Sequence, residues 1–448
     1  MRKRLLEFKK LSLVIVMVLA LAMTMTLVVG CNENENQDSS PSPENTPIAT
    51  APGDDIGGGT PPDGDGSTQG GESEEIVSRR AALLEEAEFM FRGYFYEEAI
   101  ALLNEDEELI NDETRELESR IVEEKENLIL FEGQIKHIFF HSLILYPEHL
   151  FPNLNIPTGG YNEGFVYQSE FKRMLPQILE RGFVLYNIHD VFSEGENGRM
   201  VQNEIWLPPG RRPLILSIDD PTYHYGVGFA NRLLVTDDGK LRSEVITPDG
   251  ETIITDDGDI QLILNDFVRE HPEFSWRGHK GIIAATGFMG IFGYDLLTEE
   301  SRREATRVAE YLKDTGWIFA NHSYTHSRRS GWWAADARVE NIRSDMEQWR
   351  DRIEPIIGST NILIAPFGFV LPPHAMEVVL EFGYNIYCNV DFNQPVFMRQ
   401  NGRYVLQGRI EIGGFSMKTP RWAEYLTDYF FDVAYVLDSH RPPIISGT

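Results

Sequence analysis

Three short stretches of this 448-residue chain combine residue types and spacings that could do chemistry. The first is Asp219-Asp220-Pro221. Two adjacent carboxylates resist burial unless a cation or a proton pairs with one of them, although Asp-Asp-Pro is also an ordinary turn. The second is His322-Ser323-Tyr324-Thr325-His326, preceded by Asn321. Imidazoles four apart can meet at one point where the chain coils, and neutral imidazole suits zinc. In a chain with 11 histidines this spacing is weak on its own. The third is Pro366-Phe367-Gly368, a turn that could aim a backbone N–H at a substrate or simply close a loop. Together they say more. A carboxylate with two imidazoles is a usual catalytic metal set, with positions left for water and substrate. Asp220, His322 and His326 would be that set, with Asp219 beside it as a general base.

Each stretch follows an apolar run. Residues 214–218, 317–320 and 362–365 read as strands, as do 137–145, 183–188, 281–285 and 384–390. Helical patterns lie between them at 169–180, 299–313, 335–353 and 374–382, with Thr298 as a cap and Gly316 as a stop. Strand–helix alternation predicts an α/β fold, a parallel sheet with crossovers that is open or closed into a barrel. In such folds chemistry gathers at the C-terminal ends of strands, where all three stretches lie.

The order of these elements resembles the NodB-like polysaccharide deacetylases, carbohydrate esterase family four. Their first motif, Thr-Phe-Asp-Asp, matches Ser217-Ile218-Asp219-Asp220, and their second, a histidine pair opened by His-(Ser/Thr), matches 322–326. Their opening strand often ends in Tyr-His, and here Phe140-His141-Ser142 stands there. The resemblance covers 131–448 and implies a distorted (β/α) barrel that removes N-acetyl groups from a glycan. It implies a divalent metal, zinc before cobalt or nickel, on Asp220, His322 and His326, with Asp219 as base. It further implies that the Phe367 backbone N–H steadies the oxyanion. A late Leu-x-x-His pattern, Leu437 to His440, makes His440 the acid for the leaving amine.

Two departures bear on activity. The third motif normally opens with an arginine that braces the base, and Ile364 stands there. Arg409 and Arg441 are substitutes by late position only. The fourth motif pairs an Asp with a Trp. Asp391 is present, but Phe392 and Val396 stand where a tryptophan is sought. An insertion over about 222–276 could wall a substrate groove, with His224 and Tyr225 facing it. Within it, 235–240 reads as a β-turn. Residues 255–259 read as a turn rather than a calcium loop, because the twelve-residue spacing ending in Glu is missing.

The N-terminus reads as an address. Five bases in residues 1–10 precede an apolar run to Val29, and Leu27-Val28-Val29-Gly30-Cys31 resembles a bacterial lipobox. The resemblance implies a lipoprotein signal peptide over 1–30. It implies a lipidated Cys31 that tethers an extracellular body to the outer face of the cytoplasmic membrane. An uncleaved anchor is the alternative. Residues 31–75 are polar, acidic and free of bases, and read as a disordered linker. Residues 76–130 carry helical spacing, and Gly93 to Ala99 resembles the turn of one tetratricopeptide repeat. This short all-α module is either a spacer that packs on the next domain or a docking hairpin for a protein partner.

The formal charge of −30 excludes a surface built to meet nucleic-acid phosphates. Much of that charge lies in 31–130, with 27 acids and 6 bases. With Cys31 lipidated, Cys388 is the one thiol left, placed by its apolar neighbours in the core. Two functions fit. One is a metal-dependent deacetylase of an extracellular N-acetylated polysaccharide, peptidoglycan or similar. The other, motivated by Ile364, is a glycan-binding or scaffold lipoprotein that has lost turnover.

Overall fold

A computed structural model describes residues 72–391 and 396–445. The signal, the lipobox, the linker up to residue 71 and Phe392 lie outside the described residues. Among those described, no helix is long and apolar enough to cross a membrane.

Three helices open the described chain. They are α1 (Glu74–Arg92), α2 (Tyr96–Leu103) and α3 (Asp112–Glu126). Ser73 caps α1 and Asn111 caps α3, each accepting a backbone N–H three residues on. Their buried faces share a cluster with Val184 and Trp276 from beyond the helices. Tyr94 stacks on Trp276 with ring centroids 4.7 Å apart, and its hydroxyl donates to the Glu273 carbonyl at 2.9 Å. Arg92 pairs with Glu273 at 2.6 Å, and Glu98 pairs with Arg277. The three helices therefore have no separate core. They complete theirs on the following structure.

Alternating strands and helices come next: β1 (Lys136–Phe140), α4 (Gln168–Glu180), β2 (Phe183–Leu185), β3 (Arg212–Asp219). The insertion then folds as a three-stranded antiparallel sheet, β4 (Ala230–Val235), β5 (Leu241–Ile246) and β6 (Thr252–Thr255), followed by α5 (Ile260–Glu270). The chain continues with β7 (Gly281–Ala285), α6 (Glu299–Asp314), β8 (Trp317–Asn321), α7 (Val339–Arg352), β9 (Ile362–Ile364), α8 (Pro373–Glu381), β10 (Ile386–Val390) and β11 (Val405–Glu411).

Seven of these strands pair in the order β7-β8-β9-β10-β11-β1-β3, and β3 pairs back on β7, all parallel. The sheet is thus a closed barrel, and β2 adds to β3 outside the ring. Both strand faces are covered, which is why the strands read as unbroken apolar runs. Two seams are thin. The β8–β9 seam pairs only Asn321 with Leu363, and the β11–β1 seam pairs two residues. Apolar side chains fill the lower interior, among them Ile215, Ile282, Ile364, Ile386 and Cys388. Burial pushes the Cys388 thiol up to about 12.

Most expected elements form, with trimmed ends. The expected strand 137–145 stops at Phe140, and 183–188 stops at Leu185. One barrel strand, β11, was not expected at all. Its Gln407, Gly408 and Arg409 break the apolar run that would have marked it.

Candidate metal centre

The chemistry-bearing residues meet at the C-terminal end of the barrel. Asp219 ends β3, and Asp220 leaves it with φ at 55°, a left-handed backbone that an aspartate adopts at a cost. That turn lets neighbouring carboxylates face different partners.

Asp219 faces inward and is buried. Arg409, from β11, grips it with both guanidinium arms, Nη1 to Oδ1 at 2.7 Å and Nη2 to Oδ2 at 2.9 Å. The guanidinium lies over the Phe139 ring at 4.0 Å and also donates to Ser217 Oγ at 3.2 Å. Ser217 in turn meets buried His137 Nε2 at 2.9 Å. Burial raises the Asp219 carboxyl, but the Arg409 charge and the neighbouring His322 outweigh it and hold the group well below the usual carboxylate range. Arg441, the other candidate brace, is not here. It is committed to buried Glu170, with Nε to Oε1 at 2.9 Å and Nη2 to Oε2 at 2.5 Å. Ile364 lies in the barrel core, as its apolar side chain requires.

The two histidines follow β8. His322 takes the place of a missing rung in the thin seam, its Nδ1 donating to the Ile364 carbonyl at 2.7 Å. This contact leaves Nε2 for the site, 3.7 Å from Asp219 Oδ2 and 4.0 Å from Asp220 Oδ1. His326 Nε2 lies 3.5 Å from Asp220 Oδ2. The segment between them is a tight coil with left-handed residues at Ser323 and His326. Buried Asp345 of α7 holds it, accepting the N–H groups of Tyr324 at 2.7 Å and Thr325 at 3.0 Å and the Thr325 hydroxyl. Ser323 Oγ accepts the His326 N–H at 2.8 Å. Burial lowers both imidazoles, His326 to about 4, so both are neutral near pH 7 as ligands must be.

Ligand atoms of Asp220, His322 and His326 lie within 4.8 Å of one another. Two ligands 2.1 Å from a tetrahedral ion would stand about 3.4 Å apart, near the 3.5 and 4.0 Å seen here. Asp220 Oδ1 is buried with no hydrogen-bond partner, and burial raises this carboxyl. A buried carboxylate whose two oxygens each lie near a neutral imidazole fits a divalent cation in both charge and donor type. Asp256, Asp257 and Asp259 of the former calcium question instead diverge to Arg242, Lys172 and the Leu143 N–H.

Other expected residues divide. Phe367 sits beside the site, its ring 4.4 Å from that of His326 and its backbone left-handed at φ 58°. Tyr225 donates its hydroxyl to the Asp220 carbonyl at 3.3 Å, and its ring lies 4.7 Å from that of His224. His440 does not join the group. Its side chain is 62% exposed, and its contacts are Asp438 and the Tyr167 hydroxyl. His141, after His322, acts electrostatically on Asp219 and Asp220, and it also acts on His326. It leaves β1, donates Nδ1–H to the Gly164 carbonyl at 3.0 Å and stacks on Phe165. Beside Arg409 a small cleft is lined by Asp391, Glu411, Phe415 and Trp422. The tryptophan sought near Asp391 in sequence is thus present in space, 31 residues later.

No protein-family model and no curated protein matches the chain. Solved structures do. The Streptococcus pyogenes deacetylase PplD, in complex with acetate, matches at 12% identity over 65% of this chain and 97% of its own, with a TM-score of 0.37. IcaB from Ammonifex degensii matches at 12% over 68% and 97%, with a TM-score of 0.38. A de-N-acetylase from Aggregatibacter actinomycetemcomitans matches at 11% over 63% and 96%, with a TM-score of 0.37.

Proposed function

We propose that this protein is a metal-dependent deacetylase that removes N-acetyl groups from an extracellular glycan. The observation that carries the reading is the pairing of a braced, ionised Asp219 with the adjoining Asp220, His322 and His326 set. A divalent ion, zinc by preference with cobalt or nickel as alternatives, would supply Lewis acidity to the water and to the acetamide carbonyl. Asp219, ionised and fixed by Arg409, accepts the proton of the attacking water. The Phe367 N–H donates to the oxygen on which negative charge develops. His141 replaces His440 as the residue that hands a proton to the leaving amine. Its Nδ1–H is fixed on a carbonyl, so Nε2 is the atom that carries the exchangeable proton. Arg409 removes the motive for a scaffold reading, because the base has its brace despite Ile364.

The test is acetate release from N-acetylated glycan oligomers by the purified protein loaded with zinc or cobalt. Turnover should vanish on chelation, return on metal addition and be abolished by Asp219→Asn. No acetate from any oligomer, at full metal loading, would sink the reading.

A further inference from the structure

The wall of the metal centre carries a charge that the proposed reaction does not use. Arg328 follows His326 by two residues, and its guanidinium lies 4.4 Å over the Phe367 ring. That ring in turn lies 4.4 Å from His326. The cation is therefore seated one ring away from the metal ligands, and it acts electrostatically on His326. Arg328 and Arg329 are both exposed. Among the described residues neither pairs with a carboxylate, whereas Arg343 pairs with Glu381 and Arg403 with Glu377. A guanidinium seated over an aromatic ring with no carboxylate partner is pre-organised to bind an anion, since less side-chain freedom is lost on contact. It stands out in a chain with 70 acids against 40 bases.

A second ring near His326 has another character. The Phe288 ring lies nearly parallel to the His326 ring, 6.4 Å away at 18°, and 5.9 Å from His224. Phe288 is 47% exposed. An exposed ring beside a reaction centre offers a face to the C–H side of a sugar. The surroundings of His326 thus include an exposed apolar ring and a cation.

We infer that Arg328 selects glycans carrying a negative charge close to the N-acetyl group to be removed. This rests on the deacetylase reading and narrows its substrate class. A carboxylate on the neighbouring sugar and a phosphate diester in the backbone present the same chemistry to the guanidinium.

The experiment uses the mature chain loaded with zinc and three N-acetylated oligosaccharides of equal length. One is neutral, one bears a carboxylate beside the target residue, and one bears a phosphate diester. Both the dissociation constant by calorimetry and the kinetics of acetate release are measured for the parent, Arg328→Gln, Arg328→Lys and Arg329→Gln. The parent should prefer at least one anionic oligomer, and which one identifies the source of the charge. Arg328→Gln should weaken that oligomer roughly tenfold, through Kd and KM rather than kcat, and leave the neutral one unchanged. Arg328→Lys should recover part of the loss. Arg329→Gln makes the same charge change without the ring seat and should do little. Equal weakening of neutral and anionic oligomers by Arg328→Gln, or a parent with no anionic preference, would overturn the inference. Absence of acetate from all three would defeat the deacetylase reading alone, because the binding arm still decides the role of Arg328.

Discussion

Asp219 and Arg409 form a fully buried, two-pronged ion pair, and removing one partner strands the other. Arg409→Met should cost about 3–5 kcal/mol in urea unfolding of the metal-free protein and should abolish turnover. The pH dependence follows from the sign of the shift. The folded pKa of Asp219 lies below its unfolded value of about 4. Its stabilisation is therefore complete above that value and lost as pH falls toward the folded pKa. The gap between parent and Arg409→Met should hold at pH 7 and narrow below pH 4. His141→Gln should lower kcat about 10²–10⁴-fold with little change in metal content, as expected for loss of a proton donor rather than of a ligand. The two motifs carrying Asp219, Asp220, His322 and His326 were legible because each follows an apolar run and keeps its spacing. Arg409 and His141 were legible only in part, Arg409 as one of two late arginines offered as a brace and His141 as a strand-end histidine given no role. Arg409 lies in a strand whose polar centre hides it. His141 lies at the end of a recognised strand, but no spacing marks one histidine among 11 as facing the others.

At the scale of elements, the histidine coil depends on α7. Asp345 shares the buried face of that helix with Ile342, Met346 and Trp349. An acid on an apolar face is costly unless it is satisfied, and Asp345 is satisfied by the coil it holds. That misplaced acid was the signal available in the sequence, because helical periodicity alone puts residue 345 beside 342, 346 and 349. Asp345→Ala should weaken zinc affinity about 10–100-fold, measured by competition with a chelator, although no ligand is touched. If affinity is unchanged, the coil does not need its anchor. The thin seam adds to this dependence, for His322 bridges two strands that hardly pair otherwise. Strand ends were poorly legible for the same reason. Where β1 and β2 leave the barrel early, the chain stays apolar, so composition could not mark the exit.

For the whole molecule, the three N-terminal helices and the barrel are joined by a hydrophobic cluster that includes Trp276 and Val184. Trp276→Ala should lower the melting temperature clearly, at about 3–5 kcal/mol, while leaving metal affinity intact, because the ring lies before β7 and the site lies beyond its far end. That the helices pack on the following domain was the expectation for a spacer, but the place where they pack was not legible. A helical face shows in sequence, but the surface it covers does not. The lipid anchor at Cys31 is our proposal from the lipobox alone. Cys31→Ser should release the protein from cell membranes into the medium, and retention would disprove it.

The guanidinium that grips Asp219 comes from the last barrel strand, while residue 364, where the sequence resemblance sought it, is an isoleucine. A guanidinium is a charge at a place, and the closed barrel lets two distant stretches of chain deliver it to the same carboxylate. Which strand it arrives from is invisible to a reading that inspects residue 364 alone.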